Sequence, residues 1–256
     1  TEADIVTGAR NRAALPQLVK DFSLDHQRVV NIPKHEKGEG FEACSAADFG
    51  VRTRAFLKIQ DGCDNWCSYC IIPAARGPVR SKPMPELQAE LAALAQKGYR
   101  EIVLTGINLS NYGREWGLHL SDAVLAAAAT DGVERVRLGS IEPDLLTPQE
   151  IYRLADGCRG KLCPQFHLSL QSGCDATLRR MNRHYDTAGY RAVAEAVRQA
   201  FPGAALTTDM MVGFAGETEE DHRQSLAFAR EIGFAKIHAF AYSRRAGTRA
   251  ALMPDQ

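Results

Sequence analysis

From Val51 onward the sequence alternates between short apolar runs and amphipathic segments, and this rhythm restricts the available folds more than any other feature. Residues 54–60, 101–105, 135–139, 166–170, 206–212 and 236–241 read as strands. Residues 85–98, 118–129, 147–155, 187–200 and 218–232 carry helical periodicity between them. Leu87, Leu91 and Leu94 share a face of the first helix, and Tyr190, Val193, Ala194 and Val197 share a face of the fourth. Thr147 and Thr218 each open a capping box. Strands joined through single helices imply an α/β fold of parallel βαβ units with right-handed crossovers. Such units wind into a barrel or an open doubly wound sheet, and in both the chemistry gathers beyond the C-terminal strand ends.

The first 50 residues differ. Residues 3–7 suggest a short strand and 13–22 a short helix, while 26–50 is polar and broken by Pro33, Gly38, Gly40 and Gly50. Residues 1–45 are therefore expected to be the end of a neighbouring domain plus linker, with the core at 46–256. Thr1 stands where an initiator Met would, as in a processed or trimmed product. Apolar residues make up 45% of the chain, yet no run approaches the ~20 of a membrane span, so no membrane partner is expected. Lys plus Arg and Asp plus Glu both total 31, so net charge points to no partner. Basic trios do gather locally at Arg76, Arg80 and Lys82, at Arg179, Arg180 and Arg183, and at Arg244, Arg245 and Arg249. Seven cysteines, three of them crowded together, argue against a disulfide framework and for a reducing, cytoplasmic setting.

Those three are Cys63, Cys67 and Cys70, directly after the first strand. Three thiolates on one loop can hold three irons of a four-iron cluster and leave the fourth iron to an external ligand. Structural zinc is the competing reading, but it calls for a fourth protein ligand. Cys158 and Cys163 form no second Cys-x-x-Cys pair. The other strand ends carry Gly106-Ile107-Asn108, Ser140-Ile141-Glu142, Gln171-Ser172-Gly173, Gly213-Phe214-Ala215-Gly216 and Tyr242. Each alone reads as a turn; together they share one end of the fold with the cysteines.

The cysteine spacing, with Tyr69 before the last, resembles the radical S-adenosylmethionine (radical SAM) superfamily. Residues 58–63 (KIQDGC), 71–77 (IIPAARG), 135–143 (RVRLGSIEP), 168–181 (LSLQSGCDATLRRM) and 209–217 (DMMVGFAGE) resemble its methylthiotransferase family. Within that family the likeness is greatest to the branch acting on N6-threonylcarbamoyladenosine beside the tRNA anticodon. The resemblance implies a partial (β/α)6 barrel with a remnant of an N-terminal α/β domain. It implies a 4Fe-4S cluster on Cys63, Cys67 and Cys70, with S-adenosylmethionine chelating the open iron and cleaved to a 5′-deoxyadenosyl radical after one-electron reduction. Gly106, Asn108 and Glu142 would then meet the methionine amino end, Arg183 the carboxylate, and Gln171 and Asp209 the ribose. Tyr69 and residues 211–213 would frame the adenine. Ala74 stands where the family usually has Tyr.

The resemblance further implies transfer of a methylthio group to C2 of the modified adenosine, with tRNA and a low-potential electron donor as partners. A second 4Fe-4S cluster and an RNA-binding β-barrel would lie outside these residues. Methylthiolation of isopentenyladenosine or of a ribosomal-protein aspartate is the nearest alternative. A zinc-stabilised nucleic-acid-binding module is the alternative from another class.

Overall fold

The computed structural model describes residues 2–36, 38–43, 50 and 52–256. Cys44, which the sequence suggests is a linker cysteine, and the expected boundary at 45/46 lie outside the described residues. The N-terminal stretch is a small β–α–β unit: β1 (Ile5–Thr7), α1 (Leu15–Asp25) and β2 (Val29–Asn31), with β1 and β2 parallel. β2 falls in the stretch expected to be linker, because three residues are too few to show periodicity.

The core runs β3 (Arg54–Lys58), β4 (Gln60–Asp61), α2 (Ile72–Arg76), β5 (Arg80–Ser81), α3 (Met84–Gln96), β6 (Glu101–Thr105), α4 (Leu120–Ala129), β7 (Arg135–Leu138) and β8 (Ser140–Ile141). It continues through α5 (Pro148–Gly157), β9 (Gln165–Leu168), α6 (Asp175–Arg180), α7 (Thr187–Ala200), β10 (Ala205–Val212), α8 (Glu219–Ile232) and β11 (Lys236–Ala241). β3, β6 and β7 pair in that order, as do β8, β9, β10 and β11, and every one of these pairs is parallel. β7 and β8 are separated only by Gly139, whose N–H donates to the Leu104 carbonyl at 2.9 Å, so the wall runs on through both sheets. Its strands follow chain order from β3 to β11. A doubly wound sheet reverses order at a switch point, so this is the partial barrel, with β3 and β11 as its edges.

Alternation sorts the two faces. Ala55, Leu57, Ile102, Leu104, Val136, Leu138, Phe166, Leu168, Leu206 and Met210 point outward and are buried against the apolar stripes of α3, α4, α5, α7 and α8. The inner face is mostly polar, with Lys58, Glu101, Thr105, Arg137, Gln165, His167, Thr207 and Asp209 on it and Phe56 and Val103 among them. β11 is exposed along its whole length. The expected strand 54–60 breaks at Ile59. Its N–H still donates to Thr105 (2.9 Å), but its carbonyl accepts from Lys82 (2.8 Å), and Gln60 and Asp61 pair antiparallel with β5. Thr218 forms its full capping box. Thr147 forms half of one, because Glu150 gives its carboxylate to Ser121 instead (3.0 Å).

Candidate functional site

The turn after β4 requires glycine. Gly62 has φ +75°, and a Cβ there would sit 1.8 Å from the Pro78 carbonyl oxygen. That close approach lets the Cys63 N–H donate to the Gly77 carbonyl at 3.1 Å. Gln60, which is fully buried, donates through Nε2 to the carbonyls of Asp61 and Gly62, both at 2.8 Å, and accepts the Asn108 N–H at 2.7 Å. Gly106 leaves room for that amide, since a Cβ would come 2.8 Å from Gln60 Oε1.

The rest of the cysteine loop is clasped from the far side of the barrel. Ser68 donates to the Met181 carbonyl through its N–H (2.9 Å) and to the Arg180 carbonyl through its hydroxyl (2.8 Å). Asn182, in the left-handed region at φ 56°, donates to the carbonyls of Asn65 and Trp66 at 3.3 and 3.1 Å. Arg183 Nη1 then reaches Cys67 Sγ at 3.1 Å, Asn108 Nδ2 lies 3.7 Å from Cys63 Sγ, and the Ile72 N–H lies 3.4 Å from Cys70 Sγ. Each thiol sulfur therefore has a donor.

Burial pushes the Cys63 and Cys67 thiols up, and Cys70 is close enough to add to both shifts. Arg183 pulls Cys67 the other way. Arg183 is almost fully buried, ion-paired to Glu142, stacked 4.9 Å from the centroid of Tyr185 and bonded to its hydroxyl at 3.2 Å. Tyr185 is fixed in turn by the carbonyls of Ser169 (2.6 Å) and Leu170 (2.7 Å). Burial pushes the Glu142 carboxyl up against the pull of Arg183.

Six of the expected residues thus make contact in two groups on the cysteine loop: Arg183 with Cys67, Glu142 and Tyr69, whose hydroxyl accepts from Arg183 at 3.4 Å, and Asn108 with Cys63. Cys70 closes the same loop. Gln171, just past β9, sits beside Asp209, inside β10, and its N–H donates to the Asp209 carbonyl at 2.9 Å. Gln171 holds φ +65°, a region a non-glycine residue enters only when its surroundings fix it. Tyr69 packs edge-on to Phe214 and borders an apolar patch of Met181, Met211 and Phe214. Ala74 lies apart from these, on a cavity shared with the N-terminal unit.

A cross-strand chain that sequence reasoning missed lines the inner face. Glu101 accepts from Arg137 (2.9 Å), Arg137 donates to Gln165 (3.3 Å), and Gln165 donates to Thr207 (3.2 Å). Thr207 meets His167 Nδ1 at 3.1 Å, and His167 Nε2 lies 3.3 Å from Asp209, an ion-pair distance without hydrogen-bond alignment. His238 stands beside Asp209 in register, its ring 6.0 Å from that of His167. Polar residues alternating with buried apolar ones along β7, β9 and β10 were the available signal.

The donor set fits an iron–sulfur cluster with an amino-acid ligand. Three thiols on one short loop, each within reach of its own N–H donor, suit thiolates that each meet a separate iron of a cluster. Glu142 and Arg183 match an ammonium and a carboxylate. The buried Asn108 Oδ1, which has no hydrogen-bond partner, is an acceptor waiting for a donor.

Residues 57–229 match the family described as the Radical SAM superfamily, and the chain belongs to that superfamily of enzymes. Among curated relatives it is 37% identical over 255 residues to the threonylcarbamoyladenosine tRNA methylthiotransferase MtaB of Bacillus subtilis (strain 168), covering 99% of this chain and 56% of that protein. It is also 37% identical over 255 residues to the tRNA-2-methylthio-N(6)-dimethylallyladenosine synthase of Thermoanaerobacter sp. (strain X514), covering 99% of this chain and 53% of that one. The chain therefore spans about half the length of the curated relatives it matches. Among solved structures, the radical S-adenosylmethionine methyltransferase TsrM from Kitasatospora setae superposes with TM-score 0.64 at 16% identity, over 78% of this chain and 38% of that one. Methylornithine synthase (PylB) does so with TM-score 0.55 at 16% identity, over 81% and 59%. These likenesses show the fold alone. No helix among the described residues is long and apolar enough to cross a membrane.

Proposed function

We propose that this chain is the radical-generating core of a tRNA methylthiotransferase that modifies C2 of N6-threonylcarbamoyladenosine. The observation that carries the reading is the clasp of Arg183, Glu142 and Asn108 around the cysteine loop. Cys63, Cys67 and Cys70 would hold the 4Fe-4S cluster and leave one iron for S-adenosylmethionine. When bound, this pair supplies a 5′-deoxyadenosyl radical, the reagent suited to making a C–S bond at an unactivated carbon. The chain's own residues position the reaction. Glu142 and the orphaned Asn108 carbonyl take the methionine ammonium. Arg183, a rigid bidentate fork, takes the carboxylate. Gln171 and Asp209 meet the ribose hydroxyls, and Tyr69 with Met211 walls off the adenine from water.

The threonylcarbamoyl substrate is supported by the motif resemblance and by the relatives named MtaB. Equal identity to dimethylallyladenosine synthases supports isopentenyladenosine as the second reading. In this reading a second cluster holding the sulfide, and the firmest tRNA contacts, would belong to parts of the whole protein outside these residues. A low-potential electron donor completes the set of partners. The test has two arms. Anaerobically reconstituted chain with dithionite should release 5′-deoxyadenosine from S-adenosylmethionine and make no methylthio nucleoside. Cells lacking the full-length protein should accumulate N6-threonylcarbamoyladenosine in tRNA; loss of methylthio-isopentenyladenosine instead would move the protein to the second reading.

A further inference from the structure

A cavity of about 1100 Å³ opens between the N-terminal β–α–β unit and α2. Arg12, Lys34, His35 and Arg76 line it, and no carboxylate does. Just behind it lies Asp61, buried and shared among four cations: Lys58 at 2.5 Å, Arg80 at 3.7 Å, Arg76 at 3.8 Å and Arg12 at 4.0 Å. Glu42 also pairs with Arg12 (3.4 Å), and Glu39 with Arg80 (3.5 Å). Arg76 has only its long share of Asp61 among the described residues, and the Lys34 ammonium meets no carboxylate there. His35 is paired with Glu39 at 2.9 Å, and among the described residues Lys34 and Arg76 are left as positive charge that the neighbouring acids do not match.

The position matters as much as the charge. α2 begins two residues after Cys70. Ala74 to Arg76 therefore lie four to six residues along the chain from that cysteine. Gly77, next along, anchors Cys63 through its carbonyl at 3.1 Å. Ala74, Ala75 and Pro33 give small apolar walls beside the cations, and the volume leaves room for a sugar and base as well as a phosphate.

We propose that this cavity binds the phosphodiester backbone of the RNA substrate, seating the nucleotide adjacent to the one presented to the cysteine loop. The inference rests on the tRNA reading above. Arg12 and Arg76 would clamp the phosphate, Lys34 would add a third charge at the mouth, and the nucleoside would lie on Ala74 and Ala75.

The experiment is fluorescence anisotropy of this chain with a labelled anticodon stem–loop RNA, titrated at several salt concentrations. Replacing Lys34→Gln and Arg76→Gln together should weaken binding at least tenfold at low salt. It should also flatten the slope of log affinity against log salt by about 0.7–0.9 for each phosphate that the variant no longer neutralises. Arg230→Gln, on the outer surface of α8, should change neither. Ala74→Glu, at an exposed wall position that leaves every cation in place, should weaken RNA binding as well, and it serves if the double variant does not fold. Release of 5′-deoxyadenosine without RNA, read in parallel, should survive in all variants. Unchanged slope and affinity in the double variant and in Ala74→Glu would overturn the phosphate site, as would absence of any salt-dependent RNA binding by the parent chain. Failure of the parent chain to cleave S-adenosylmethionine would instead count against the radical reading itself.

Discussion

Replacing Arg183→Ala should unsettle both the fold and the cofactor pocket, and the two effects can be separated by pH. The guanidinium is 3% exposed and its partner Glu142 18%. Removing one member of a buried pair costs about 3–5 kcal/mol, because the other charge is left without compensation. Burial already holds the Glu142 carboxyl above its ordinary value with Arg183 opposing that shift, so without Arg183 it rises further. An acid raised in the folded state binds more protons folded than unfolded. Its contribution is therefore most favourable below the unfolded value of ~4.3, and stability is lost as pH climbs through the folded one. Urea unfolding of cluster-free protein should accordingly show a larger deficit for the variant at pH 7.5 than at pH 5. Adding Glu142→Gln should recover most of that deficit at pH 7.5. S-adenosylmethionine binding to the reconstituted variant, read from the change in the cluster's EPR signal, should weaken by the ~1.5–3 kcal/mol of a hydrogen bond to a charged group, roughly ten- to hundredfold. A deficit under 1 kcal/mol at both pH values, with no recovery in the double variant, would show that the pair is not the keystone of the clasp.

Two further outcomes bear on the loop. Cys63→Ala, Cys67→Ala and Cys70→Ala should each abolish incorporation of about four irons, measured with acid-labile sulfide after reconstitution. Cys158→Ala should retain it, because that buried thiol, pushed up to about 11, lies in the apolar core under the helices. Gly62→Ala should destabilise the protein by more than the ~1–2 kcal/mol of a left-handed alanine, since its Cβ would also collide with Pro78; equal melting curves would refute the tight-turn account.

How much could be read from the sequence follows from length scale. Helices such as α7 and α8 showed their bounds because each spans 14 residues of apolar period and starts at a capping side chain. α2 and α6, of five and six residues, complete too few turns to leave a pattern. Order along the sheet was not legible either: barrel and doubly wound sheet share the same local rhythm and differ only in which strands pair. For the site, spacing marked Cys63, Cys67 and Cys70, and the family resemblance marked Glu142 and Arg183, but neither says who touches whom. The bond from Gln60 to Asn108 spans 48 residues, and that from Arg183 to Cys67 spans 116. Gln60 and His167 escaped notice because a polar residue in a strand ordinarily faces water, whereas here the inward face is closed by the barrel.

That closure explains why the clasp sits where it does. A loop of seven residues between Cys63 and Ile71 has no regular ladder to hold it, and its donors, carbonyls and thiols must find partners elsewhere. The end of α6 and the turn after it, residues 180–183, provide them from β9's side of the barrel: Met181 and Arg180 through carbonyls, Asn182 through its amide, Arg183 through its guanidinium. Asn182 must adopt φ 56° to aim its side chain at Asn65 and Trp66 while its neighbour's guanidinium turns inward to Cys67. The loop is therefore ordered only when β3 and the α6 turn are both docked on the wall. Gln171 and Asn182, both at positive φ, follow closely in the chain on Leu168, Leu170 and Leu178, each fully buried. Outer-face burial thus sets the geometry of thiols on the inner rim, and a substitution in the core beneath α6 would be felt at the cysteine loop without touching it.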